Sequence, residues 1–124
     1  ITDGQSARAA LTASGADAVM VGRATMGQPW LPAHLDHYLR HGEMPAAPSL
    51  AERHAIMRKH LDLMLSHYGS HGLRLARKHV SAYANGLPHA AEMRQIANNT
   101  TDAKAVFAAM DKWFDQLQDW GEAA

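Results

Sequence analysis

No cysteine occurs among the 124 residues. That excludes a disulfide framework, a thiolate zinc site and a cysteine nucleophile within this chain. Net charge is missing as well. Twelve basic side chains balance twelve acidic ones, so no global field announces nucleic acid or a membrane surface. No apolar run approaches the ~20 residues that cross a bilayer, and no basic-then-apolar leader opens the sequence. A soluble, cytoplasmic protein with no membrane partner is the expectation. An initiator is absent too: the chain opens at Ile1, at the start of a helix signal, and a fragment of a longer protein is expected.

The charge balance conceals an asymmetry. Between Gly72 and Asn99 the charges are Arg74, Arg77, Lys78 and Arg94 against Glu92. From Thr100 onward they are Lys104 and Lys112 against Asp102, Asp111, Asp115, Asp119 and Glu122. One segment is basic and the last is acidic.

Helix signals dominate the chain. Thr2 or Asp3 can cap a short helix carrying Ala7, Ala10 and Leu11, which Gly15 ends. Ala18 to Val21 is a short apolar run bounded by turn residues, the pattern of a strand buried on both faces. A single strand makes no sheet, so its partners are expected outside this chain. A helix follows from about Pro32 to His41, with Leu31, Leu35, Tyr38 and Leu39 on one side. Residues 42–48 contain two prolines, which forbid helix and mark a linker.

Beyond the linker, Ser49 and Glu52 form a capping-box signature. The helix they open carries Leu50, Met57, Leu61, Met64, Leu65 and Tyr68 in one stripe and stops at Gly69. A second helix, about Leu73 to Ala84, turns Leu73, Ala76, Val80 and Tyr83 inward. Pro88 or His89 opens a third, with Met93, Ile96 and Ala97 inward, and Thr100 or Thr101 caps a last one. In that helix Val106, Phe107, Met110, Trp113, Phe114 and Leu117 recur at amphipathic spacing. Four helices, each with one apolar face and short loops, read as an antiparallel bundle.

Two stretches suit anions. Gly22 lets backbone approach a ligand closely, Arg23 offers a planar fork of donors, and a helix opening at Ala24 would present unpaired N–H groups. A phosphate would fit there; the alternative is a strand end followed by a solvated charge. In the basic segment, Arg74, Arg77, Lys78 and Ser81 recur at i, i+3, i+4 and i+7 and share a face opposite the core. Like charges so spaced disfavour an isolated helix by a few tenths of a kcal/mol per pair. An anionic surface such as RNA phosphate is the natural target, with Arg94 extending the patch and His79 and Tyr83 nearby. An ordinary solvated face is the alternative, and Tyr83 suits the core better than a stacking platform. His34, His37 and His41 share a helix face, yet no cysteine or His-Glu-x-x-His pattern joins them, so no metal site is expected. No nucleophile–base–orienter set is visible, and no catalytic residue is assigned within this chain.

The ordered series of Gly22-Arg23, Gly27-Gln28-Pro29-Trp30, Ala76-Arg77-Lys78-His79, Tyr83, Gly86-Leu87-Pro88 and Arg94 resembles the bacterial tRNA-dihydrouridine synthases. It is closest to the branch with the nitrogen-regulation-associated homologues. The resemblance runs from Ile1 to about Asn99, and the acidic last helix, Thr101 to Trp120, matches in kind rather than by motif. It implies a (β/α)8 barrel carrying FMN, followed by a helical domain that grips tRNA. The enzyme uses NADPH-reduced FMN to saturate the C5–C6 bond of a uridine. On that basis Ala18 to Val21 is the last barrel strand, and Gly22 and Arg23 hold the FMN phosphate, in agreement with the phosphate sites of such barrels. Arg74, Arg77, Lys78 and Arg94 become the tRNA contacts.

The departures matter. The family's proton donor is a cysteine on an earlier barrel loop, which this chain lacks, and its Asn-Gly-Asp flavin motif would fall just before Ile1. Lys78 and His79 lie in the helical domain and do not inherit the barrel's lysine and histidine roles. The expected fold is mainly α. Residues 1–41 form the last αβα piece of the barrel, 42–48 a linker, and 49–124 a four-helix tRNA-recognition bundle. The segment is expected to be inactive alone and to bind FMN weakly without the rest of the barrel. Another FMN barrel would share the Gly-Arg corner without needing the cationic helix; a stand-alone helical RNA-binding module would need the bundle alone.

Overall fold

The computed structural model describes the backbone of residues 1–123 and the side chains of residues 1–119. Trp120 and Glu122, which belong to the acidic segment, have side chains outside the described residues. The chain divides into two compact units, Ile1–Ala47 and Pro48–Ala124.

The first unit is built on two helices, α1 (Gly4–Ser14) and α2 (Leu31–His41). Of the two candidate caps, Asp3 opens α1. Its carboxylate accepts from the Ser6 amide at 2.8 Å, and the Ser6 hydroxyl accepts from the Asp3 amide at 3.1 Å. This reciprocal box satisfies two donors that the first turn leaves open. The Ser6 backbone bond is also the chief reason the Asp3 carboxyl is held below its ordinary range. Gly15 closes the helix in the left-handed region, φ 68°, its amide bonded to the Leu11 carbonyl.

A side chain at Gly4 would intrude on the Tyr38 ring, so this glycine sets how closely α1 approaches α2. The Arg8 guanidinium ties the same pair by donating to the Leu39 carbonyl at 2.8 Å. Ala7, Leu31 and Leu35 form the small core between them.

Ala18 to Val21 departs from expectation. No strand is found among the described residues, and the run expected to be buried on both faces is buried on one. Val19 and Val21 pack against the Ala7–Leu31–Leu35 core, whereas Ala18 is exposed and Met20 is 90% exposed. The physical reason is that a strand exists through its ladder, and the described residues hold no second strand to pair with it. The alternation of burial at period two survives. Past Gly22, residues Arg23–Thr25 form one tight 3₁₀ turn rather than the start of an α-helix. The amide and the hydroxyl of Thr25 both bond the Gly22 carbonyl, at 3.0 and 2.8 Å.

The second unit holds α3 (Leu50–Tyr68), α4 (His71–Ala84), α5 (Ala90–Asn99) and α6 (Ala103–Ala123). Helix α3 packs on α4 and α6, and α5 packs on the same two, so four helices close around one core. The Ser49 hydroxyl accepts from the Glu52 amide at 3.1 Å, which is half of the expected capping box; no return bond to the Glu52 carboxylate is found among the described residues. Asp102, not Thr100 or Thr101, begins α6: its carboxylate accepts from the Lys104 amide at 3.1 Å. A carboxylate competes better for that donor than a hydroxyl.

The expected stripes largely supply the core. Met57 and Leu61 of α3, Leu73, Ala76, Val80 and Tyr83 of α4, and Met93 and Ala97 of α5 are all buried. Helix α6 adds Val106, Met110, Trp113, Phe114 and Leu117. Tyr68 and Ile96, expected inward, are 50% and 38% exposed. Tyr68 is the last residue of α3. Gly72 could not be anticipated from periodicity. A Cβ there would lie 2.6 Å from the Met64 carbonyl oxygen, so α4 passes directly over the backbone of α3.

Candidate functional site

Each unit presents one candidate. In the first, Gly22 and Arg23 follow the half-buried Val21 at the mouth of the tight turn. The space a Gly22 Cβ would fill is open, so a ligand could reach the backbone there. Arg23 is exposed and forms no ion pair among the described residues. Backbone plus an uncommitted guanidinium can hold a phosphate. Beside α1 and α2 a groove of about 430 Å³ runs along Val19, Met20, Val21, Leu11 and Leu39.

In the second unit the cationic face of α4 is narrower than its spacing suggested. Arg74 and Lys78 are exposed one turn apart. Arg77 is half-buried, and its Nε is shut away from solvent with no hydrogen-bond partner. An orphaned guanidinium nitrogen is costly. Arg94, on α5, is half-buried beside Asn85, the residue that closes α4, with Nη2 to Oδ1 at 3.4 Å.

Tyr83 is removed from any surface role. Only 5% of it is exposed, its hydroxyl bonds His60 Nδ1 at 2.9 Å, and burial pushes its phenol up to about 12. His79 packs against His60 with ring centroids 4.7 Å apart. Burial depresses both imidazoles, and His60 and Lys78 depress His79 further. His60 was not singled out by sequence reasoning. Its signal was its position beside Met57 and Leu61 on the buried side of α3.

A second polar cluster was also missed. Asp111 on α6 accepts from Arg58 Nη1 through both carboxylate oxygens, at 2.9 and 2.7 Å, and its Oδ1 lies 2.6 Å from His54 Nε2. His54 stacks on Phe114, and the Arg58 guanidinium lies 4.9 Å over the Phe107 ring. Burial alone would raise the Asp111 carboxyl, but these hydrogen bonds and charges hold it below its usual range. Only its place beside Met110 hinted that an acidic residue of the last helix faced a neighbour. The cluster joins α3 to α6. The indole of Trp113 likewise donates to the Pro88 carbonyl at 2.9 Å, fixing the turn before α5.

Among the described residues no three histidine or acidic side chains converge to hold a metal ion. His37 and His41 stack loosely, with centroids 4.5 Å apart. No helix among the described residues is long and apolar enough to cross a membrane.

The sequence of residues 1–118, spanning both units, matches the family model described as Dihydrouridine synthase (Dus). The chain belongs to the dihydrouridine synthase family. Among its relatives, a probable tRNA-dihydrouridine synthase of Rickettsia conorii is 42% identical over 120 residues, covering 96% of this chain and 36% of that protein. The tRNA-dihydrouridine synthase B of Pseudomonas aeruginosa is 41% identical over 119 residues, which is 94% of this chain and 36% of that protein. That of Proteus vulgaris is 40% identical over 118 residues, with 94% of this chain and 36% of its own length covered. The chain therefore spans about 36% of the length of these relatives.

Proposed function

We propose that the chain is the C-terminal part of a tRNA-dihydrouridine synthase, a cytoplasmic enzyme that reduces the C5–C6 bond of uridine in tRNA. The observation that carries this reading is the family match through residues 1–118, which includes both the Gly22–Arg23 corner and the cationic helix. Residues 1–41 would finish a (β/α)8 barrel, with Ala18 to Val21 taking a place in its sheet. That assignment is supported by the one-sided burial of Val19 and Val21 and the exposed Met20. Residues 42–48 would link the barrel to a tRNA-recognition unit, 49–124.

FMN fits the first corner. The open space at Gly22 and the uncommitted Arg23 would hold its phosphate. When bound and reduced by NADPH, the flavin supplies the hydride for uridine. What this chain contributes is positioning. Arg23 and the Gly22 backbone fix one end of the cofactor, while Arg74, Arg77, Lys78 and Arg94 neutralise tRNA phosphates and set the approach of the substrate. The half-buried Arg77, with an unsatisfied Nε, loses least entropy on binding because packing already restrains it. No side chain here is assigned to proton transfer.

The test uses the full-length parent. With NADPH and unmodified tRNA it should convert uridine to dihydrouridine, read by mass spectrometry of the digested RNA; absence of that product overturns the reading. The Arg23→Ala variant should purify with several-fold less FMN per protein. An unchanged flavin absorbance would remove the assignment of that arginine.

A further inference from the structure

Helices α3 and α4 share a polar contact that phosphate binding does not use. His60 comes from the middle of α3 and His79 from α4, with ring centroids 4.7 Å apart at 56°. Both are half-buried. Tyr83, one turn after His79, holds His60 Nδ1 at 2.9 Å and lies edge-on to its ring. No carboxylate accepts from either imidazole among the described residues. Asp111, which approaches α3 from α6, is already engaged by His54 and Arg58. The remaining charge that bears on the pair is Lys78, whose sign is the same as an imidazolium's. Among the described residues, no group of α5 contributes to the depression of either ring.

Neutral, the two rings pack well. Singly protonated, a charged ring faces a neutral one. Doubly protonated, they place two like charges close together, partly out of water, with Lys78 as a third. We propose that the His60–His79 pair is a proton-sensitive latch between α3 and α4, closed at neutral pH and forced open by mild acid. Opening loosens the helix that carries Arg74, Arg77 and Lys78. The latch itself does not depend on what that face binds.

The sign follows from linkage. Both imidazoles are depressed in the folded chain, so the unfolded state binds more protons in the window below the ordinary histidine value of 6.5. Stability contributed by the neutral pair is full above that value. It is lost as pH falls through 6.5 toward the folded values.

The test is a double-mutant cycle on the whole 124-residue chain with His60→Gln and His79→Gln, followed by urea unfolding at about pH 7.5 and about pH 5.5. The wild type should lose midpoint stability on acidification, and either substitution should remove at least half of that loss. The coupling between the two sites should turn unfavourable in acid. Equal acid sensitivity in all four proteins overturns the latch. Should a variant fail to fold, NMR titration of the wild type decides: the two rings should titrate in two coupled steps, displaced below the ordinary histidine value of 6.5. Independent titration at ordinary values overturns it.

Discussion

Replacing Gly72 by alanine sets two effects of opposite sign against each other. Helix propensity favours alanine by at most about 1 kcal/mol. Packing opposes it. The new Cβ would sit 2.6 Å from the Met64 carbonyl oxygen, 3.0 Å from its carbon and 3.1 Å from the Leu65 Cα. The first approach is roughly 0.8 Å inside ordinary van der Waals separation. All three are backbone atoms of α3, so no rotamer change relieves them and the two helices must part. Overpacking of this kind costs about 1–3 kcal/mol, and the α3–α4 packing that buries Met57, Leu61, Ala76 and Val80 would loosen as the helices separate. The net expectation is destabilisation by about 1–2 kcal/mol. For a unit of this size that lowers the melting midpoint by about 5–15 °C. Thermal unfolding followed by far-UV circular dichroism reads it directly. A midpoint that is unchanged or higher would refute the close α3–α4 crossing.

Two further substitutions probe the polar ties of the helical unit. Asp111→Ala strands His54 and Arg58; because the Asp111 side chain is 42% exposed, the loss should be about 1 kcal/mol or less at neutral pH. The carboxyl is depressed in the folded chain, so the wild-type advantage should hold above its ordinary value of 3.8 and vanish as pH falls through the folded one; an advantage that grows in acid contradicts the cluster. Trp113→Phe keeps a ring in the core but removes the 2.9 Å bond to Pro88, at a cost of about 1 kcal/mol. Amide exchange across residues 85–90 should quicken, and an unaltered pattern would count against that anchor.

Helices were legible because their signals are local. Asp3, Ser49, Gly15 and Gly69 mark ends through side-chain caps and glycine closures, and the three-and-four spacing of Met57 with Leu61, or of Met110, Trp113, Phe114 and Leu117, marks the core. What failed to show was non-local. His54 and Arg58 are separated from Asp111 by more than fifty residues along the chain and meet it only through the α3–α6 packing. Gly72 looks like any first-turn glycine until α3 lies beneath it. Ala18 to Val21 carries a strand's pattern, but pairing needs a neighbour that local sequence does not provide. The candidate residues could be nominated one by one, since Gly22 offers open backbone and the arginines and lysine carry their charge in their side chains. Their geometry was not legible: one turn of spacing put Arg77 on the same face as Arg74 and Lys78, whereas packing half-buries it.

The proposed docking of tRNA through α4 is tested most directly by the binding of unmodified tRNA to residues 49–124 across a range of salt concentrations. Measurable affinity is expected at low salt, falling steeply as salt rises. Arg77→Ala with Lys78→Ala should weaken binding and make the slope of log affinity against log salt shallower by roughly one for each phosphate-binding cation removed. No binding at low salt, or an unchanged slope and affinity in the double variant, would contradict it.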